Sequence, residues 1–191
     1  MVENPTVDQI DVLVRALDQT GRIVHGVRPD QLAEPTPCAD WDVRELLNHT
    51  ISVVEMFDDA AQTKPFDASI FGRDNVGHDP GVSYEARAAV LRQTLGRPGA
   101  ADTPWLLPFG EFPAKTALSF ATVEVFQHGW DVARATGQSV DFDPEVTAAA
   151  QAGAQVVPGE QRSPVAFADA IPCPESAAPE DQLAAYLGRA V

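Results

Sequence analysis

The sequence is poor in cysteine, in positive charge and in long apolar runs, and each shortage narrows the class of protein. Its 191 residues include two cysteines, Cys38 and Cys173, too few and too far apart for a disulfide framework. No apolar run approaches the roughly 18 residues that a membrane span requires. The first residues, MVENPTVDQIDVLV, lack the basic and apolar regions of a secretory signal. We therefore expect a cytoplasmic protein with no membrane partner.

Positive charge is the second shortage. The chain carries 13 Lys and Arg against 28 Asp and Glu, which gives a formal net charge of −15. Such a surface repels phosphate backbones, so we expect no nucleic-acid partner. The 45% hydrophobic and 21% charged residues are typical of a globular protein. The length suits one domain with a sizeable core, and we expect residues 1–191 to form a single domain.

Helical periodicity predicts an all-α fold. The predicted helices cover Thr6–Gly26, Trp41–Thr63, Ser83–Gly96, Lys115–Thr136, Pro144–Val157 and Glu180–Gly188, with Asp40 as the N-cap of the second. The irregular stretch 64–82 is long, and a long crossover allows two consecutive helices of a bundle to run in the same direction. A second connector, 97–113, carries apolar side chains that either cover the core or line a pocket.

The most informative stretch is Ala117–Thr136, ALSFATVEVFQHGWDVARAT. Residues three and four apart share one face of a helix. A single line therefore runs along the helix through Ala117, Ala121, Glu124, His128, Asp131 and Ala135. Glu124 and His128 could together hold a divalent metal ion, and the alanines would leave space for a molecule to reach it. Because Glu and His at this spacing are common by chance, an ordinary buried hydrogen-bonded pair is the alternative.

A third ligand is available on another predicted helix. His49 lies within WDVRELLNHT, at the edge of an apolar stripe. Three protein ligands with one open position are the arrangement of a catalytic zinc site. A lone histidine here could also be a satisfied residue at the edge of the core.

Four further residues carry open interpretations. Asp131 could orient His128 or act as a nearby base, or it could pair with Arg134 or cap a neighbouring segment. Cys38, just ahead of the second helix, could be a reactive thiol or a small buried residue. His78, in the stretch 64–82, could reach the site or be an exposed loop residue. Gly129, inside the fourth helix, indicates close approach of another helix or of a ligand.

Two segments resemble known signatures. TPCADWDVRELLNHT (Thr36–Thr50) and EVFQHGWDVARATGQ (Glu124–Gln138) resemble those of the DinB-like superfamily, in its branch related to the N-terminal domain of mycothiol-dependent maleylpyruvate isomerase. SAAPEDQLAAYLGR (Ser176–Arg189) resembles the end of uncharacterised proteins of that branch. The resemblance implies a four-helix bundle of up-down-down-up topology over about residues 5–137, with a long crossover loop and a short C-terminal helical extension over 138–191.

The resemblance also implies a chemistry. It places a divalent metal, often zinc, between the second and fourth helices, with His49, Glu124 and His128 as ligands. It further implies mycothiol or a related small thiol as cosubstrate, and a homodimer. Nickel, iron and manganese stay open beside zinc. The isomerase carries a second, C-terminal domain where this chain has a short Pro-rich tail, so the resemblance does not carry over the isomerisation itself.

We therefore expect a metal-dependent transferase. The metal would bind the small thiol as thiolate and aim it at an electrophile that enters past the stretch 64–82. A metal-dependent hydrolase that activates water is a close variant. A non-catalytic metal-binding or stress-response scaffold is the alternative from another class. A site that has lost its metal altogether is the third.

Overall fold

A computed structural model of the protein describes residues 8–38, 40–156 and 167–191. Within these ranges the chain forms six α-helices: α1 (Gln9–His25), α2 (Val43–Ala61), α3 (Pro80–Leu95), α4 (Ala114–Thr136), α5 (Pro144–Ala154) and α6 (Pro179–Tyr186). Short 3₁₀ turns cover Pro29–Gln31 and Ala68–Gly72, and an antiparallel hairpin joins β1 (Trp105–Leu107) to β2 (Gly110–Phe112). The predicted all-α class is confirmed. The predicted helical residues Thr6, Val7 and Val157, and the part of the Pro-rich stretch over residues 157–166, lie outside the described residues.

Helices α2 and α3 begin at other residues than predicted, because of their caps. The N-cap of α2 is Asp42 and not Asp40, since the Asp42 carboxylate accepts from the Glu45 backbone N–H at 2.8 Å. The Glu45 carboxylate accepts from the Asp42 N–H in return, which completes a capping box. Helix α3 begins three residues earlier than predicted, because Asp79 caps it and Pro80 takes the first helical position.

Two pairs of helices run parallel. The first residue of α1, Gln9, donates from Nε2 to Ser119 Oγ in the second turn of α4, at 3.1 Å. Near the C-terminal ends of α2 and α3, Thr94 donates from its hydroxyl to Asp58 Oδ1 at 2.6 Å. Because α2 and α3 are consecutive and parallel, the stretch between them must cross the length of the bundle. The long crossover predicted from the irregular stretch is confirmed, with a 3₁₀ turn inside it.

The other two neighbouring pairs run antiparallel. The end of α1 lies beside the start of α3, where the His25 ring packs against Gly81. The start of α2 lies beside the second half of α4, where the rings of His49 and His128 have centroids 4.9 Å apart. With α1 up, α2 and α3 therefore run down and α4 runs up. This is the predicted up-down-down-up bundle.

Helix α4 lies at the centre and is buried around most of its circumference. It contacts α1 and α2 in the bundle, and α5 and α6 cover its outer side. At Gly129 it comes so close to α1 that a Cβ atom would clash with the Thr20 hydroxyl and lie 3.0 Å from Phe142 Cζ. The indole N–H of Trp130 donates to Asp181 on α6 at 2.9 Å. The C-terminal extension is thus attached to the helix that carries two of the three predicted ligands.

The hairpin covers the core beside α2. Trp105 is fully buried, with its ring 6.5 Å from that of Phe57, whereas Leu106 and Phe109 are exposed. The apolar connector therefore covers the core through Trp105. Among the described residues, no helix combines the length and the apolarity needed to cross a membrane.

Candidate metal centre

The three predicted ligands meet at one point between α2 and α4. His49 comes from the second turn of α2, and Glu124 and His128 stand one turn apart on α4. One donor atom from each residue lies within 4.8 Å of the other two. Nε2 of His128 is 3.2 Å from Glu124 Oε2. The chain therefore presents two imidazoles and a carboxylate to a common centre.

Asp131 holds the other side of the His128 ring. Its Oδ2 lies 3.2 Å from Nδ1 of His128, and both side chains are almost fully buried. A proton on Nδ1 satisfies this contact and turns Nε2 toward Glu124 and His49. Nε2 offers a lone pair to a metal ion once it has given up its own proton. Nε2 is buried and has no aligned hydrogen-bond partner among the described residues. Arg134, the partner considered from the sequence, lies instead over the ring of Trp130, 5.2 Å from its centroid.

The Asp131 carboxylate accepts from three further side chains. Oδ1 accepts from Gln127 Nε2 at 3.1 Å and from Arg189 Nε at 3.3 Å. Oδ2 accepts from Cys38 Sγ and from Arg189 Nη2, each at 3.3 Å. Arg189 and Gln127 were missed by the sequence reasoning, because an arginine near a chain end is normally exposed and nothing in its local pattern indicates burial. The resemblance of Ser176–Arg189 to the end of uncharacterised proteins of the same branch is the one sequence signal that includes Arg189.

The charges within the site are strongly coupled. Burial and repulsion by His128 lower the pKa of His49 to about 3, so His49 is neutral. Burial raises the pKa of Glu124, but the neighbouring imidazole of His128 outweighs it and the pKa falls below its usual value. For Asp131, burial is likewise outweighed by His128 and Arg189, so its pKa is lowered. Both carboxylates are therefore ionised.

The positive charge of His128 balances these two carboxylates. Burial alone would lower its pKa, but the contacts with Asp131, Cys38 and Glu124 raise the pKa well above the usual value. In the metal-free protein the ring is an imidazolium shared between two carboxylates. A metal ion that binds Nε2 must displace that proton.

An open pocket of about 580 Å³ reaches His49 from the α2 side. Its wall includes the rings of Trp41 and Phe71, whose centroids lie 4.6 and 5.5 Å from that of His49. Apart from Gly72, the remaining lining residues are polar or charged: Arg44, Glu45, Asn48, Arg73 and Asp74. Residues 71–74 belong to the crossover between α2 and α3, so this stretch borders the route to the site.

The prediction that the alanines of α4 leave space for a molecule to reach the site is wrong. Ala117 and Ala121 are fully buried in the core. His78 is exposed and does not belong to the ligand groups found among the described residues.

A second possible ligand group, Cys38, His128 and Asp131, shares the same imidazole. There the Asp131 carboxylate is already occupied by several donors and by the positive charge of Arg189. A cation at that position would be repelled by the guanidinium. The group formed by His49, Glu124 and His128 borders the pocket and includes the unsatisfied Nε2, although the charge of Arg189 also acts on His49 and Glu124. These residues fit a divalent ion.

Comparison with known proteins gives two kinds of match. The family model described as the mycothiol maleylpyruvate isomerase N-terminal domain matches residues 13–133. Two uncharacterised proteins of Mycobacterium tuberculosis, from strain CDC 1551 / Oshkosh and strain ATCC 25618 / H37Rv, are each 37% identical to the chain over 179 residues. These alignments cover 93% of this chain and 95% of each relative. No solved structure matches the chain.

Proposed function

Because the chain belongs to the mycothiol maleylpyruvate isomerase N-terminal domain family, we propose that it is a divalent-metal-dependent enzyme that uses a small thiol of the mycothiol type as its nucleophile. The observation that carries the proposal is the meeting of His49, Glu124 and His128 beside an open pocket. Two imidazoles and one carboxylate suit zinc.

A bound metal would activate the thiol nucleophile, since zinc lowers the pKa of a bound thiol enough to deprotonate it near pH 7. The chain's own residues prepare the place for it. Glu124 contributes a negative charge, and His49 is held neutral between the rings of Trp41 and Phe71. Asp131 keeps Nδ1 of His128 occupied, so that Nε2 faces the centre.

The pocket supports an enzyme in preference to a scaffold. A structural zinc site is closed by four protein ligands, whereas a catalytic one keeps a position open. Here the described residues provide three ligands, and one of them, His49, lines a pocket of about 580 Å³. That volume is within the ~300–1,000 Å³ of small-molecule sites. Its aromatic wall and charged rim suit a polar thiol together with a small electrophile.

Zinc content and zinc-dependent stability test the ligand assignment. We expect about one zinc per chain and a rise in Tm when zinc is added to the metal-free protein. His49→Ala and His128→Ala should abolish both effects. His78→Ala, which changes an exposed histidine, is the matched control and should behave as the wild type. Full zinc occupancy in both site variants would refute the assignment.

A thiol assay separates the candidate activities. Zinc-loaded protein is mixed with mycothiol or N-acetylcysteine and with monobromobimane as electrophile, and thioether formation is followed by fluorescence. We expect zinc-dependent acceleration that His128→Ala removes. Zinc binding without acceleration or thiol binding would favour the scaffold, and zinc-dependent hydrolysis of an activated ester without thiol binding would favour the hydrolase.

A further inference from the structure

The C-terminal segment places a buried arginine, Arg189, against Asp131 at the candidate metal centre. The side chain of Arg189 is 4% exposed, and its Nε and Nη2 each lie 3.3 Å from one oxygen of the Asp131 carboxylate. This two-point contact fixes the plane of the carboxylate as well as its position. Nη2 also lies 3.4 Å from Cys38 Sγ, and the guanidinium lies 5.8 Å from the centroid of the Phe167 ring.

The backbone that carries Arg189 is itself constrained. Its N–H donates to the Ala184 carbonyl at 2.9 Å, which turns the chain back over the end of α6. Gly188 makes this turn with φ of 84°, a left-handed conformation that other residues adopt at a cost. A Cβ atom at Gly188 would also lie only 2.6 Å from Ala168 Cβ. Arg189 is therefore held at the centre by its own segment and is not a flexible end that reaches in by chance.

A chain of direct contacts connects this arginine to the predicted ligand. Arg189 contacts Asp131, Asp131 contacts Nδ1 of His128, and Nε2 of the same ring faces Glu124 and His49. Groups that hold a ligating histidine from behind set the orientation of its ring, and their loss weakens metal binding. Asp131 occupies this position, and among its partners Arg189 contacts both oxygens of the carboxylate.

We propose that Arg189 is a positioning residue of the metal centre, which acts through Asp131 to aim Nε2 of His128. The inference rests on the proposed function, because it needs a metal at His49, Glu124 and His128. It makes the C-terminal segment beyond α6 a part of the site, although the family match ends at residue 133. The competing interpretation is that Arg189 only attaches α6 to α4.

The zinc affinities of the Arg189→Met and Arg189→Lys variants distinguish the positioning role from a purely structural one. Affinity is measured by competition with a chromophoric chelator, and folding is checked by circular dichroism. We expect Arg189→Met to bind zinc about tenfold more weakly, at the lower end of the ~10–100-fold range for such partners. Arg189→Lys keeps the charge but loses the two-point contact. Its zinc affinity should therefore lie between those of Arg189→Met and the wild type. Arg92→Met is the control, because Arg92 bridges Asp18 and Glu85 between α1 and α3, away from the site.

A double-mutant cycle shows whether the effect passes through Asp131. If it does, Arg189→Met should change zinc affinity by less than about twofold once Asp131→Asn is present. Equal losses in both backgrounds, or an unchanged affinity in Arg189→Met, would overturn the inference while the proposed function stood. A wild-type protein that binds no zinc would refute both. If Arg189→Met does not fold, the same cycle run with Arg189→Lys decides by the same criteria.

Discussion

Replacing Asp131 by asparagine tests the centre of the site with a nearly isosteric change. The carboxylate is fully buried and accepts from Cys38, Gln127, His128 and Arg189. An asparagine amide at this position has one oxygen, so it cannot accept from donors on both sides. The substitution also breaks the buried ion pair between Asp131 and the Arg189 guanidinium.

The loss of stability follows from the broken ion pair between Asp131 and Arg189. Removing one partner of a buried ion pair costs about 3–5 kcal/mol. For a chain of this size, each kcal/mol lowers the Tm by about 2–4 °C, so we expect a fall of roughly 6–20 °C in the metal-free protein. Zinc affinity should fall about 10–100-fold, because the His128 ring loses the group that orients it.

Urea denaturation of the metal-free protein measures the first quantity, and chelator competition measures the second. Asp58→Asn is the matched control, since Asp58 is 6% exposed and its carboxylate accepts from Thr94 and Gln62. Its free energy of unfolding should fall by only about 1–3 kcal/mol, and its zinc affinity should be unchanged. An Asp131→Asn variant that lost less than about 1 kcal/mol, or that bound zinc like the wild type, would refute the reasoning.

Two further predictions concern the bundle. Gly129→Ala should cost about 1–3 kcal/mol by crowding Thr20, although alanine is the better helix former by about 1 kcal/mol; a variant as stable as the wild type in urea would contradict the close approach. Tyr84→Phe tests the pH dependence of stability. Burial raises the pKa of the Tyr84 hydroxyl, so the proton is held more tightly in the folded state than in the unfolded state. The free energy of unfolding of the wild type should therefore fall as pH rises above about 10. That fall should be smaller in Tyr84→Phe and unchanged in the control Tyr186→Phe, and parallel pH–stability curves for all three proteins would rule the explanation out.

The helices and the line of residues on α4 could be predicted because both depend on local sequence. Apolar spacing over a dozen or more residues indicates a helix wherever it packs, and the spacing between Glu124 and His128 puts them on one face of any helix. The boundaries were less certain. Asp40 and Asp42 are both good N-caps by type, and the choice between them depends on how the preceding connector enters the helix.

The route to the site could not be predicted from α4 alone. Small residues such as Ala117 and Ala121 indicate space on an isolated helix, but here neighbouring helices fill it. The opening lies instead on the α2 side, where residues 71–74 of the crossover leave a pocket next to His49. Which side of a helix stays open is a property of the packed assembly.

By itself, the sequence determined the helices, the pair of potential ligands on α4 and a partner histidine on α2, to which its resemblance also points. Only the tertiary structure decided that Asp131 would be surrounded by Cys38 and Arg189, which are 151 residues apart in the chain. The physical reason is that helix periodicity depends on neighbours within a turn or two. A buried charge depends on every segment that packs around it, and no local pattern encodes that set.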